Sequence, residues 1–158
     1  MRKRIVPGHQ QDGALAHQDW LDVEGLAEVE VTSEAPAYPV EGALLPEPNA
    51  GWRAAGPGLQ TIRLHFQPPQ HVTRIWLDFV EAEIERTQEY TLRWSPGDGE
   101  SFREIVRQQW NFSPHGAIRE IEDHHVELPS VAILELNIIP DIRVGTNAVA
   151  SLAQWRLA

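Results

Sequence analysis

The chain has 158 residues, with 13 lysines and arginines against 23 aspartates and glutamates, a formal net charge of −10, and no cysteine. It is about one domain long, enough to bury a sizeable core, and its charge repels a phosphate backbone that no clustered basic face is present to attract, so nucleic acid is excluded as a partner. The missing cysteines exclude a disulfide framework, a thiol nucleophile and a cysteine metal site, and they point to a reducing compartment.

The opening "MRKRIVPGHQQDGALAHQDW" is basic at its start but has no apolar stretch behind it. No later run approaches the roughly 18 apolar residues of a membrane span, so the expectation is a cytoplasmic protein with no membrane partner. Residues 1–26 lack periodicity and are expected to form an arm packed on the domain that follows, residues 27–158.

From residue 27 the chain alternates. Val29 and Val31 share one face of "EVEV", Ile62, Leu64 and Phe66 share one face of "QTIRLHF", and Ile75, Leu77 and Phe79 do so in "RIWLDF". Tyr90, Leu92 and Trp94, and later Leu134, Leu136 and Ile138, repeat the pattern. These are half-buried antiparallel strands. About eight are expected, at 27–33, 59–66, 71–80, 88–95, 101–110, 117–127, 131–139 and 149–157, separated by turns such as "QPPQ", "SPGDG" and "FSPHG". Only 38–47 can hold a helical turn or two. The predicted fold class is all-β, a sandwich or jelly roll. Trp76, flanked by Val72 and Val80 on the outward face of its strand, requires cover from the arm or from a second copy, which makes a homo-oligomer through this face an open expectation.

If successive strands run antiparallel, alternate connections share an end. One end collects 34–58, 81–87, 111–116 and 140–148; the other collects the plain turns at 67–70, 96–100 and 128–130. Binding sites usually sit on the longer, chemically mixed loops. There the candidate ligand contacts are Arg86, Trp110, Asn111, Phe112, His115, Arg143 and Asn147, aromatic faces and planar polar groups of the kind a sugar needs. Trp110 shares the phase of Val106, which favours burial, and Phe112 and His115 are the better contacts. In "EDHHVE", His124 and His125 point to opposite faces of a strand and cannot chelate one ion. The glutamates of "VEAEIER" read as a wetted face. Searching for nucleophile elbows, His-Glu-x-x-His and phosphate loops finds none, so the chain reads as a non-enzyme.

The runs "VEVTSEAPAYPVEGAL", "GWRAAGPGLQTIRLHFQPPQHVTRIWLDF", "EYTLRWSPGDGESFREI" and "SLAQWRLA" together resemble the discoidin or coagulation-factor C-type domains and the family 32 carbohydrate-binding modules. Their landmarks here are Ser33 and Glu34, Trp52, "LRWS" before a Gly and Asp turn, and a closing Ser-Leu strand. The resemblance implies a galactose-binding-like jelly roll that binds without catalysing, through loops at one end. Its ligand would be a carbohydrate or, alternatively, a protein partner in the cytoplasm. Many relatives also hold a structural calcium. The candidates for it here are Asn49 and, in place of a glutamate, Gln154, and a missing carboxylate weakens such a site, so no cofactor is expected. The membrane-inserting relatives carry exposed apolar spikes, and the sequence shows no comparable cluster.

Overall fold

The computed structural model describes residues 19–46, 50–97 and 101–158. Two one-turn helices, α1 (Val23–Leu26) and α2 (Glu41–Leu44), accompany eight strands: β1 (Ala27–Val31), β2 (Trp52–Pro57), β3 (Gln60–Val80), β4 (Arg86–Ser95), β5 (Arg103–Phe112), β6 (Arg119–Ile139), β7 (Val149–Leu152) and β8 (Gln154–Leu157). The fold is an all-β sandwich of antiparallel strands, and α2 falls inside the segment expected to hold a helical turn.

Its frame is the pairing of β3 with β6. Each is 21 residues long, and each replaces two of the expected strands. They stay paired from Gln60 opposite Ile138 to Val80 opposite Arg119, with register shifts between His65 and Arg74. Around those shifts the ribbon folds back on itself. One half lies in a layer with β1 and β4, which in turn carries β5; the other half pairs with β8. A separate ribbon joins β2 to β7. The missed strand, β2, is "WRAAGP", whose small residues give almost no amplitude to the alternation even though Trp52 and Ala54 are buried in phase.

The expected inward residues fill the space between the layers. Ile62, Leu64, Ile75, Leu77, Phe79, Tyr90, Leu92, Leu134, Leu136 and Ile138 are all 0% exposed, and each fully buried aliphatic or aromatic side chain contributes about 1.5–3 kcal/mol. Phe79 and Tyr90 stack across the interior with ring centroids 5.2 Å apart. Val72 departs from the expected outward stripe. Between the pairs Val72–Leu128 and Arg74–His125, two residues of β6 oppose the single Thr73, a bulge that turns Val72 into the core. Trp76 does face outward, yet it is only 3% exposed within the single chain, so it offers a second copy no open aromatic surface. Beside it, Arg74 lies 5.1 Å over the Trp20 ring.

Residues 19–26, the described end of the expected arm, run along β8: Leu21 N donates to Leu157 O at 2.7 Å, and Val23 joins the core. The loop after α2 is pinned from below. Arg156 of β8, 9% exposed, donates from Nη1 to Ala43 O at 3.0 Å and from Nη2 to Leu45 O at 2.6 Å. Gly42 and Gly51 allow the same closeness, because a Cβ on Gly42 would stand 2.6 Å from Gly51 O and one on Gly51 would meet Leu152 O at 2.7 Å.

A second polar group lies between the layers. Glu120, 1% exposed, faces inward beside Phe79, its register partner, with Glu122 and His124 following on the same face of β6. Gln88 Nε2 donates to Glu120 Oε1 at 3.4 Å, and Tyr90 Oη and His124 Nε2 are 2.7 Å apart. Burial, and then the neighbouring Glu122, push the Glu120 carboxyl up to about 8, while burial lowers the His124 imidazole from its usual 6.5.

These two groups give stability predictions. Arg156→Met leaves two carbonyls without their charged donor and is expected to cost about 2–3 kcal/mol in urea unfolding; an unchanged midpoint would refute the clamp. Folded Glu120 keeps its proton to about pH 8, whereas the unfolded group releases it near 4.5, so stability falls as pH rises across that interval. The lowered His124 opposes this only near and below 6.5. Between pH 6.5 and 8.5 the melting temperature should therefore drop for the native chain and stay flat for Glu120→Gln. Equal slopes would show that Glu120 is ionised throughout.

Candidate functional site

The fold-back of β3 and β6 places both ends of each strand at one pole. The described parts of the connection 32–51 and the connections 58–59, 81–85, 113–118 and 140–148 meet there, as the loop sorting expected, and hydrogen bonds tie the last four together. Arg143 Nη2 donates to Glu85 O at 2.8 Å, Ile142 N to Thr87 O at 2.8 Å, Glu81 N to Ile118 O at 2.8 Å, and Gly58 N to Ala148 O at 3.4 Å. The turns at 67–70 and 128–130 lie at the opposite pole.

Arg86 sits beneath this rim and is not a ligand contact. It is wholly buried. Its Nε donates to Glu81 Oε1 at 2.9 Å, and its Nη1 donates both to Pro140 O at 2.8 Å and to Gln88 Oε1 at 3.1 Å. One guanidinium thereby binds the 81–85 loop, the start of β4 and the end of β6. Phe112 is the floor on which it rests, with Arg86 Cζ 4.8 Å from the ring centroid. That position corrects the expectation for Phe112: it is 0% exposed and cannot stack on a ligand. The reason is register. β5 runs on to Phe112, which pairs with Arg86 and shares the inward phase of Trp110. Trp110 is half-buried opposite Gln88, and its buried Nε1 has no hydrogen-bond partner among the described residues.

The other expected contacts do reach the rim. Asn111 is exposed at the end of β5, its Oδ1 accepting from Thr87 Oγ1 at 2.9 Å. His115 is exposed on a tight turn closed by Gly116 N donating to Ser113 O at 3.0 Å. Arg143 and Asn147 are exposed on the 140–148 loop. Arg143 is fixed in place: its Nη2 donates to Asp141 Oδ2 at 2.8 Å and its Nε reaches both Asp141 oxygens at 3.1 Å, which holds the Asp141 carboxyl below the usual carboxylate range. Nearby, a depression of ≈150 Å³ is lined by Ala50, Arg53, Val80 and Ser151 among others. Trp52 at its base is 1% exposed and donates from Nε1 to Ser33 O at 3.0 Å, so its role is to anchor the first long loop.

The calcium implied by the resemblance does not fit the residues described. Asn49 lies outside the described residues. Gln154 is a neutral, half-buried amide, and the carbonyls of Ala43 and Leu45 already accept from Arg156. Among the described residues no group of three or more His, Cys, Asp or Glu could hold a metal. His125 points outward from β6 while His124 bonds Tyr90, so that pair serves no ion.

Sequence reasoning missed the apolar side of the rim. The exposed large hydrophobic residues among those described are Leu59, Val80, Ile84, Ile118, Ile142 and Val144, the last 100% exposed, and every one stands at the loop pole. The sequence reading placed no exposed aliphatic side chains on these loops. The available signal was aliphatic residues inside turn-forming segments, as in "PDIRVGT", where no strand phase can bury them.

No protein-family model matches the sequence, and no curated protein is close to it, but solved structures share its fold. The family 32 module CpGH89CBM32-5 from Clostridium perfringens, in complex with GalNAc-β-1,3-galactose, superposes with a TM-score of 0.63 at 20% identity, over 88% of this chain and 99% of that one. The family 32 module of NanJ from C. perfringens, in complex with galactose, gives 0.59 at 14% identity over 87% and 96%. A chitosan-binding module from Paenibacillus sp. IK-5 gives 0.61 at 18% identity over 84% and 94%. The fold of this chain is thus that of the family 32 carbohydrate-binding modules, the galactose-binding-like sandwich.

Proposed function

We propose that the chain is a non-catalytic module that takes a carbohydrate at the loop pole. The observation that carries this reading is the cross-tied rim itself. Arg86 and Arg143 lock loops from distant parts of the chain into one surface, so Asn111, His115, Arg143, Asn147 and Arg53 present donors and acceptors without first having to be ordered. A sugar hydroxyl is at once donor and acceptor, and amide, imidazole and guanidinium groups answer both needs. The sugars named with the structural neighbours support the same reading. The inward-facing carboxyl groups argue for binding without hydrolysis: the buried Glu120 and the half-buried Glu122 follow one another on the same face of one strand, not opposed across a cleft wide enough for a glycosidic bond.

Calorimetric titration with galactose, GalNAc-β-1,3-galactose and a chitosan oligomer tests it. At least one should bind with a dissociation constant in the millimolar range or tighter. Asn111→Ala and His115→Ala should weaken that binding about tenfold each while leaving the melting temperature unchanged, since both side chains are exposed. Heats indistinguishable from dilution for the whole panel, extended by a glycan array, would remove the proposal.

A further inference from the structure

Exposed aliphatic side chains scattered singly over a surface need no explanation, but their confinement to one place does. Here each exposed large hydrophobic residue among those described stands at the loop pole, on four separate pieces of chain. Bonds already described place them against the polar rim. Ile142 and Val144 flank Arg143, and Ile84 precedes Glu85, whose carbonyl Arg143 holds at 2.8 Å. Ile142 N donates to Thr87 O, and the Thr87 hydroxyl bonds Asn111. Val80 and Ile118 bracket Glu81, whose N–H donates to Ile118 O, and Leu59 follows Gly58, which is tied to Ala148. Val144 is 100% exposed, and the other five, though partly covered by neighbours, each keep 41–60% of their surface in water.

From this juxtaposition we infer that the ligand of the loop pole is amphipathic, a carbohydrate joined to an apolar group that the collar of Leu59, Val80, Ile84, Ile118, Ile142 and Val144 covers. The inference rests on the carbohydrate reading of the rim. Charge argues against two other occupants. A second copy would bring its own exposed Glu83 and Glu85 to face these, on a chain of net charge −10, and an anionic lipid surface would be repelled by the same excess. A neutral glycoside with an alkyl or acyl aglycone meets no such penalty, and each methylene covered by the collar adds to its affinity.

The intact chain is titrated with galactose and with octyl β-galactoside kept below micelle formation. The octyl glycoside should bind about tenfold or more tightly than galactose, the gain from covering about two methylenes. In the pair Ile84→Ser and Val144→Ser that gain should vanish while galactose affinity and melting temperature stay as they were. Neutral phosphatidylcholine vesicles with and without a galactosyl lipid separate the sources: binding only to the sugar-bearing vesicles supports a membrane-held glycan, and binding only to soluble octyl glycoside supports a free one. Equal affinities for the two soluble sugars overturn the inference and leave the carbohydrate reading standing. Binding to neither overturns both. Binding to plain vesicles, or a dimer in sedimentation that the serine variants dissolve, also overturns it, because the collar then serves a bilayer or a second copy.

Discussion

The antiparallel pairing of β3 with β6 is the constraint from which the rest of the structure follows. A hydrogen-bonded ribbon of this length cannot stay in one plane of a small sandwich, and it folds over near its register shifts. Once it does so, one half of the ribbon becomes the roof over the other, and the starts and ends of β3 and β6 stand together. Convergence of the long connections at one pole is a geometric consequence of that fold-over. The rim would be a loose collection of loops without it.

Buried polar groups then turn convergence into fixed geometry. Arg86 is the main example: a guanidinium with no exposure, resting on Phe112, whose Nε and Nη1 reach a carboxylate, an amide and a carbonyl from three segments while its Nη2 has no partner among the described residues. Burying a charge is costly unless it is paired, and that cost makes alternative loop arrangements unfavourable. Arg156 does the same for the first long loop, bonding the carbonyls of Ala43 and Leu45. Gln88 connects the two kinds of interior, bonding Arg86 below the rim and Glu120 between the layers.

The surface that results is divided by chemistry. Polar planar groups and bare aliphatics share the loop pole, whereas the opposite pole carries closed turns. Three of the aromatic rings at this end are structural, since Phe112 and Trp52 lie inside and Trp110 faces inward, whereas Tyr38 is half-exposed beneath Arg53.

Alternation alone determined the layers. Side chains on a strand change face at every residue, so Ile62, Leu64, Ile75, Leu77, Leu134 and Leu136 could be assigned inward from their spacing, and the order of the turns assigned each loop to its pole. What alternation cannot carry is phase across an irregularity or the exact end of a strand. One extra residue opposite Thr73 reversed Val72, and two further residues of pairing in β5 moved Phe112 from a loop contact to the floor under Arg86. The weak pattern of "WRAAGP" hid β2, and proline-rich turns concealed that β3 and β6 continue through them. Only the tertiary structure decided which rim residues are buried, which are bound to one another and which stand free, because those outcomes depend on partners 32 to 58 positions away that no local pattern encodes.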